Sequence, residues 1–306
     1  MVVAAVGSSS AFSPILPSFT VSMDRPEITQ LLFHPRLVVP TAAPEGAVDF
    51  SVPVADGVAI ACRFYRHSLE RPTLIFFHGN GEIIPDYDEV GPCYVDAGLN
   101  FLIAEYRGYG WSGGSPLTST FLPDANAVFL FALNWLKEQG HTGAVFVMGR
   151  SLGSACAIDV AVNHSEQITG LIIESGFART LPLAKVLGVD LEAMGLSEVQ
   201  TFNNGGKIKD FTKPTYILHG QYDQLISLWQ AETLQAECGA KVKEFQIIPG
   251  ADHNSLIAVA GELYFAAIKK FVEKTAGLTP DWRERRRQFK AQQAQQMQQQ
   301  GPSDDR

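Results

Sequence analysis

The chain has 306 residues, with 24 Lys+Arg against 32 Asp+Glu, a formal charge of −8, and 46% apolar residues. A chain of this length and balance can bury a core without staples, and its acidity argues against a nucleic-acid binder, whose affinity rests on phosphate neutralisation. Cys62, Cys93, Cys156 and Cys238 are far apart, with no C-x-x-C pair, which excludes a disulfide scaffold and a zinc ribbon and fits a reducing, cytoplasmic compartment.

Residues 1–47 read as an N-terminal leader and lead-in segment. The first 23 carry no charge, so they lack both the basic start of a secretory signal and the arginines of a transit peptide. No run of about 18 apolar residues is free of charge and proline, so no transmembrane segment is expected. The next stretch, 48–278, has the pattern of one α/β domain. Val48–Val52 and Val58–Arg63 flank Asp56-Gly57 and predict an antiparallel hairpin. Thr73–Phe77 is an unbroken apolar run ending in His78-Gly79-Asn80-Gly81, the pattern of a strand buried on both faces.

Strand and helix patterns then alternate. Phe101–Ala104 predicts a strand and 123–139 a helix, with Val128, Phe131, Ala132 and Trp135 on one face. Ala144–Met148 leads to Gly149, followed by a small-residue helix from Leu152 to Asn163. Later strands are expected at Leu171–Ile173, Thr215–Leu218 and Glu244–Ile248. A hairpin followed by this alternation implies an eight-stranded, mostly parallel sheet with helices on both faces. The interval 177–213 exceeds a normal loop and predicts a small cap insertion. Within it Leu183, Val186, Leu187, Leu191 and Met194 recur near helical spacing, a stripe that fits an apolar lid or simple core packing equally well. From 279 to 306 the composition shifts to Arg283, Arg285, Arg286, Arg287 and a Gln-rich run. That reads as a solvated low-complexity tail with no identified partner.

The chemistry concentrates at strand ends. Gly149-Arg150-Ser151-Leu152-Gly153 matches G-x-S-x-G between a buried-strand pattern and a helix pattern, the context in which a serine is forced onto a sharp, strained turn. Glycines at 149 and 153 relieve the crowding there. A serine hydroxyl needs a base and an orienting acid. Asp223, in the turn after the strand at 215–218, is the expected acid; His253, past the last strand, is the expected base. The oxyanion hole is assigned to the backbone N–H groups of Leu152 and Asn80, the latter between flexible glycines. His78 and His219 stand before glycine and are expected to shape loops. His34, His67, His141 and His164 read as surface histidines, and Asp252 is expected to point away from His253.

With these residues in view, the set His78-Gly79-Asn80-Gly81, Tyr106-Arg107-Gly108-Tyr109-Gly110-Trp111-Ser112-Gly113, Gly149–Gly153, His219-Gly220 with Asp223, and Asp252-His253 resembles the α/β-hydrolase superfamily. More narrowly it is similar to the small-capped, serine aminopeptidase-like serine hydrolases, over about residues 48–275. The resemblance implies hydrolysis of a small-molecule acyl ester or thioester through an acyl-enzyme, by esterases, thioesterases or lipases and some peptidases, with no metal or organic cofactor. Glu105, where relatives commonly carry Asp, and Gly176, where they tend to carry Pro or Thr, depart from the pattern. The alternatives are a non-catalytic binding module on the same fold and a peptidase or amidase; a dehalogenase is excluded because it would need Asp in place of Ser151.

Overall fold

The computed structural model describes residues 23–279 and residues 286, 287, 289 and 290. The leader through residue 22 and most of the basic tail, Arg283 and Arg285 included, lie outside the described residues. Eight strands form one sheet: β1 (Ala47–Pro53), β2 (Ala59–Tyr65), β3 (Thr73–Phe77), β4 (Asn100–Ala104), β5 (Val145–Arg150), β6 (Gly170–Glu174), β7 (Thr215–Gly220) and β8 (Lys243–Ile248), in the order β1-β2-β4-β3-β5-β6-β7-β8. β1 and β2 are the antiparallel hairpin, β2 also runs antiparallel to β4, and every pairing from β4 to β8 is parallel.

Period-two alternation assigns each side chain to a face. Ile75, Phe77, Val147, Leu171 and Ile173 enter one core cluster; Leu74, Phe76, Phe146, Met148 and Ile172 enter the other. The first cluster is covered by α1 (Pro26–Leu32), α3 (Thr118–Glu138), α4 (Gly153–Asn163), α5 (Thr180–Val186), the short α6 (Asn204–Lys207) and α7 (Leu228–Glu237). The second lies under α2 (Val90–Asp96), α8 (Leu256–Ala260) and α9 (Glu262–Thr275). With both faces covered, β3, β4 and β6 are buried at every position, which is why they read as unbroken apolar runs.

Three local expectations are corrected. The helix predicted from 123 begins at Thr118, with Pro123 inside it. The turn before the proline is anchored from outside: Asp24 Oδ1 accepts from Thr118 Oγ1 at 2.7 Å and from the Ser119 N–H at 3.0 Å. Asp24 belongs to a lead-in that docks on the core through Met23, Ile28, Leu32 and Phe33, all buried, with Phe33 edge-on to Phe121 at 5.2 Å. The stripe at 183–194 is not one helix. α5 stops at Val186, Gly188 takes φ +96°, and Leu183, Leu187, Leu191 and Met194 pack on the first core cluster while Val186 faces solvent. Core packing therefore accounts for the stripe. Finally, His141 and His164 are half-buried rather than surface groups: they sit against Phe64 and Phe129 at 5.1 and 5.2 Å, and desolvation lowers the pKa of both rings.

Candidate active site

The parallel register levels several strand ends at one rim. Phe77 pairs with Gly149, Arg150 with Glu174, Glu174 with Leu218, and Gly220 with Ile248. The residues that follow, His78, Ser151, Ser175, Asp223 and His253, come from loops that all leave this edge.

Ser151 adopts φ +52°, a left-handed conformation that strains a residue with a side chain. Its N–H donates to the Glu174 carbonyl at 2.9 Å, and its carbonyl accepts from Ser154 Oγ at 2.6 Å. The turn closes so tightly that a Cβ on Gly149 would lie 2.3 Å from the Gly153 carbonyl oxygen. A Cβ on Gly153 would lie 2.1 Å from the Phe77 carbonyl oxygen. Only glycine fits either place. Ser151 is 6% exposed, Asp223 6% and His253 7%, so the three share a largely dry setting in which polar contacts gain strength.

From Ser151 Oγ to His253 Nε2 the distance is 2.9 Å, and from His253 Nδ1 to Asp223 Oδ2 it is 2.7 Å. Asp223 Oδ1 accepts from the N–H groups of Leu225 at 3.0 Å and Ile226 at 2.8 Å, which locks the carboxylate in its turn. A carboxylate facing Nδ1 selects the tautomer with the proton there, leaving the Nε2 lone pair toward the hydroxyl. His219 lies beside the pair: Nε2 donates to the Ile226 carbonyl at 2.7 Å and sits 3.3 Å from Asp223 Oδ2. Desolvation lowers the His219 pKa, and its Nδ1 is buried without a partner. Asp252 does point away, accepting from the Asn254 N–H at 3.0 Å and Ser255 Oγ at 2.7 Å.

On the other side of Ser151 lies the His78–Gly81 loop. His78 is fully buried, with Nε2 2.9 Å from Glu105 Oε2, and the other Glu105 oxygen accepts from the Ile84 N–H at 2.7 Å. The departure at Glu105 is thus structural, its longer arm spanning two loops. A Cβ on Gly79 would meet Arg150 Nη1 at 2.7 Å, and Gly81 takes φ +76°. Among the described residues, neither the Leu152 nor the Asn80 backbone N–H donates to a protein acceptor. Both remain available to a ligand oxygen.

Sequence reasoning missed the cluster that joins these loops. Arg150 reaches the His253 carbonyl, Asn254, Glu174 and Glu82. Glu82 in turn accepts from the Gly79 N–H and from Tyr87 Oη, both at 2.7 Å. Glu174 Oε2 accepts from Tyr264 Oη at 2.6 Å, and burial raises the Tyr87 and Tyr264 pKa values so that both phenols act as donors. Arg150 lies inside the G-x-S-x-G segment and Glu82 directly follows Gly81; position was the one available signal. Among the described residues, no group of three or more His, Cys, Asp or Glu could hold a metal ion, and no helix is long and apolar enough to cross a membrane.

Comparison with known proteins agrees with this architecture. Residues 69–195 match the sequence family described as serine aminopeptidase, S33. These likenesses support the α/β-hydrolase superfamily as the group that this chain resembles. Among similar proteins is the protein bem46 of Schizosaccharomyces pombe, 28% identical over 69% of this chain and 70% of the relative. Human alpha/beta hydrolase domain-containing protein 17B is 27% identical over 74% of this chain and 75% of its own length. Among solved structures, an esterase of Pyrococcus furiosus superposes with TM-score 0.63 at 19% identity, over 78% of this chain and 98% of the esterase. The shared element is the fold: the same eight-stranded, mostly parallel sheet with helices on both faces.

Proposed function

We propose that this α/β hydrolase cleaves a carboxylic ester or thioester through an acyl-enzyme formed on Ser151. The observation that carries the proposal is the continuous contact Ser151 Oγ–His253 Nε2–Asp223, 2.9 and 2.7 Å, at a left-handed serine on a strand-to-helix turn. His253 takes the hydroxyl proton as Oγ attacks the acyl carbonyl, and Asp223 holds the tautomer and stabilises the imidazolium. The Leu152 and Asn80 N–H groups receive the oxyanion, their lack of protein acceptors supporting that role. His253 then returns the proton to the leaving group. In the second half, water loses its proton to His253 as it attacks the acyl carbonyl, and His253 returns that proton to Ser151 Oγ as the carboxylic acid leaves. The first helical turn of α4, which begins at Gly153 directly after these residues, adds a favourable field for negative charge.

The test is Ser151→Ala on a panel of p-nitrophenyl esters and acyl thioesters of increasing chain length. Turnover should fall by at least about a hundredfold; residual activity above that level contradicts the nucleophile. A fluorophosphonate probe separates the enzyme from a binding module of the same fold: labelling at Ser151 supports catalysis, and its absence together with no turnover supports binding.

A further inference from the structure

Segment 34–38, outside the region matched by the family, crosses the rim beside the His78–Gly81 loop. It is fixed at one end by buried Phe33 and zipped onto Gly110: the Gly110 N–H donates to the Arg36 carbonyl and the Val38 N–H to the Gly110 carbonyl, both at 2.9 Å. From this seat it grips the loop at two points. The His34 N–H is shared between Asn80 Oδ1 at 2.8 Å and Tyr109 Oη at 2.9 Å, while Tyr109 Oη donates to the same Oδ1 at 2.7 Å. The Asn80 amide then donates from Nδ2 to His34 Nδ1 at 3.0 Å. Two residues further on, Arg36 Nη1 donates to the Gly81 carbonyl at 3.0 Å.

Resting on the acyl-transfer reading above, we infer that His34 and Arg36 are positioning residues: the segment 34–38 is a strap that holds the Asn80 N–H at the oxyanion position. The Asn80 side chain has every strong hydrogen-bonding direction but one engaged by the strap and Tyr109, so the residue cannot rotate without breaking three contacts. Its backbone N–H is left without a protein acceptor among the described residues. A donor aimed at a developing oxyanion is effective only if it is preorganised, and glycines on both sides of Asn80 supply no stiffness of their own. The stiffness comes from the strap. His34 touches no substrate in this scheme; it acts through Asn80.

The two side-chain contacts, His34 Nδ1 with Asn80 Nδ2 and Arg36 Nη1 with the Gly81 carbonyl, are cheap to remove without unfolding the chain. The bond from the His34 backbone N–H stays in every variant. Arg36 and its carboxylate partner Asp86 are 52% and 35% exposed, the setting in which ion pairs add little stability, and His34 is exposed. The experiment uses the full chain and compares His34→Ala, His34→Asn and the double variant His34→Ala/Arg36→Met. It measures kcat and KM on the best p-nitrophenyl ester, and amide hydrogen exchange of residues 78–84. The double variant should lose about tenfold or more in kcat with KM within about twofold, the size expected when a catalytic group is displaced rather than deleted. Exchange in 78–84 should rise about tenfold. His34→Asn, which restores an acceptor near the Nδ1 position, should recover most of the loss that His34→Ala causes. Parental exchange in the double variant overturns the strap, and so does raised exchange with parental kcat. If the parent shows no Ser151-dependent turnover, the acyl-transfer reading fails instead, and the strap then stands or falls on the exchange result alone.

Discussion

Arg150 Nη2 donates to the His253 carbonyl oxygen at 2.9 Å, so the residue before the strained serine grips the loop that delivers the imidazole. The same guanidinium contacts Glu174, on the strand next to β5, and Glu82, on the loop after β3. One side chain therefore fixes the relative position of two loops and the end of β6. Its own side chain is 11% exposed and Glu174 is 3% exposed, which makes the cluster a buried ion-pair network, sensitive to loss of one partner.

Replacing Arg150 by Met should cost about 3–5 kcal/mol of stability, because Glu174 and Glu82 lose their counter-charge. If the variant folds too poorly to assay, Arg150→Lys keeps the charge but not the forked reach. It should lower kcat about tenfold on an activated ester with KM within about twofold. Urea denaturation and steady-state kinetics separate the two effects. Parental kcat in the lysine variant would show that the clamp on His253 is unnecessary.

Asp223→Asn tests the orienting acid. An amide retains the size of the side chain but can present its NH2 to Nδ1, which selects the wrong tautomer of His253. A fall of at least about a hundredfold in kcat/KM is expected, with fluorophosphonate labelling of Ser151 slowed in parallel. A loss under tenfold would assign the orienting role elsewhere, and Asp252 is then the residue to test, although it faces Ser255.

Two glycine substitutions should differ sharply in cost. Gly153→Ala drives a methyl to 2.1 Å from one backbone oxygen and 2.5 Å from another, those of Phe77 and His78. Backbone cannot swing aside, so the loss should exceed the usual overpacking range of about 1–3 kcal/mol. Gly250→Ala has open space around the new methyl and only the strain of φ +80°, worth about 1–2 kcal/mol. Denaturant midpoints of the two variants give the comparison directly.

Stability should fall on acidification through a histidine that the fold keeps uncharged. His219 is fully buried, desolvation lowers its pKa below the ordinary histidine value of about 6.5, and Nδ1 has no partner among the described residues. With a depressed folded value, the unfolded chain binds the proton first. The native state is therefore unaffected above the unfolded value and loses stability as pH drops below about 6.5, by up to about 1.4 kcal/mol per pH unit for one proton. Below the lower folded value this contribution levels off. His219→Gln should flatten the slope of unfolding free energy just below about pH 6.5; an unchanged slope would assign it to other groups.

How much was legible in the chain differs by kind of feature. The strands β3, β5 and β6 announced themselves because burial on both faces forces continuous apolar runs, and the turn at Ser151 because the chain there admits glycine alone at 149 and 153. Helix α3 was misplaced at its start because Pro123 reads locally as a first-turn residue. The turn ahead of it is held by Asp24, 94 and 95 residues away in sequence from the groups it binds. At 183–194 the apolar spacing was legible and core packing, one of its two readings, accounts for it, but the exit from the helix at Gly188 was not legible.

The roles of His34, Glu82, Arg150, Glu174 and Tyr109 were not legible even where the residue lies in or beside a motif, since each matters through partners far along the chain: Asn80 lies 46 residues from His34, and the His253 carbonyl 103 from Arg150. The sequence by itself determined the layered fold and the residue types available at the strand ends, because periodicity and glycine sterics act over a few neighbouring residues. Only the tertiary structure decided which loops are bolted together, since a hydrogen bond or ion pair between distant segments depends on angles and distances near 3 Å that emerge when the sheet brings its strand ends level.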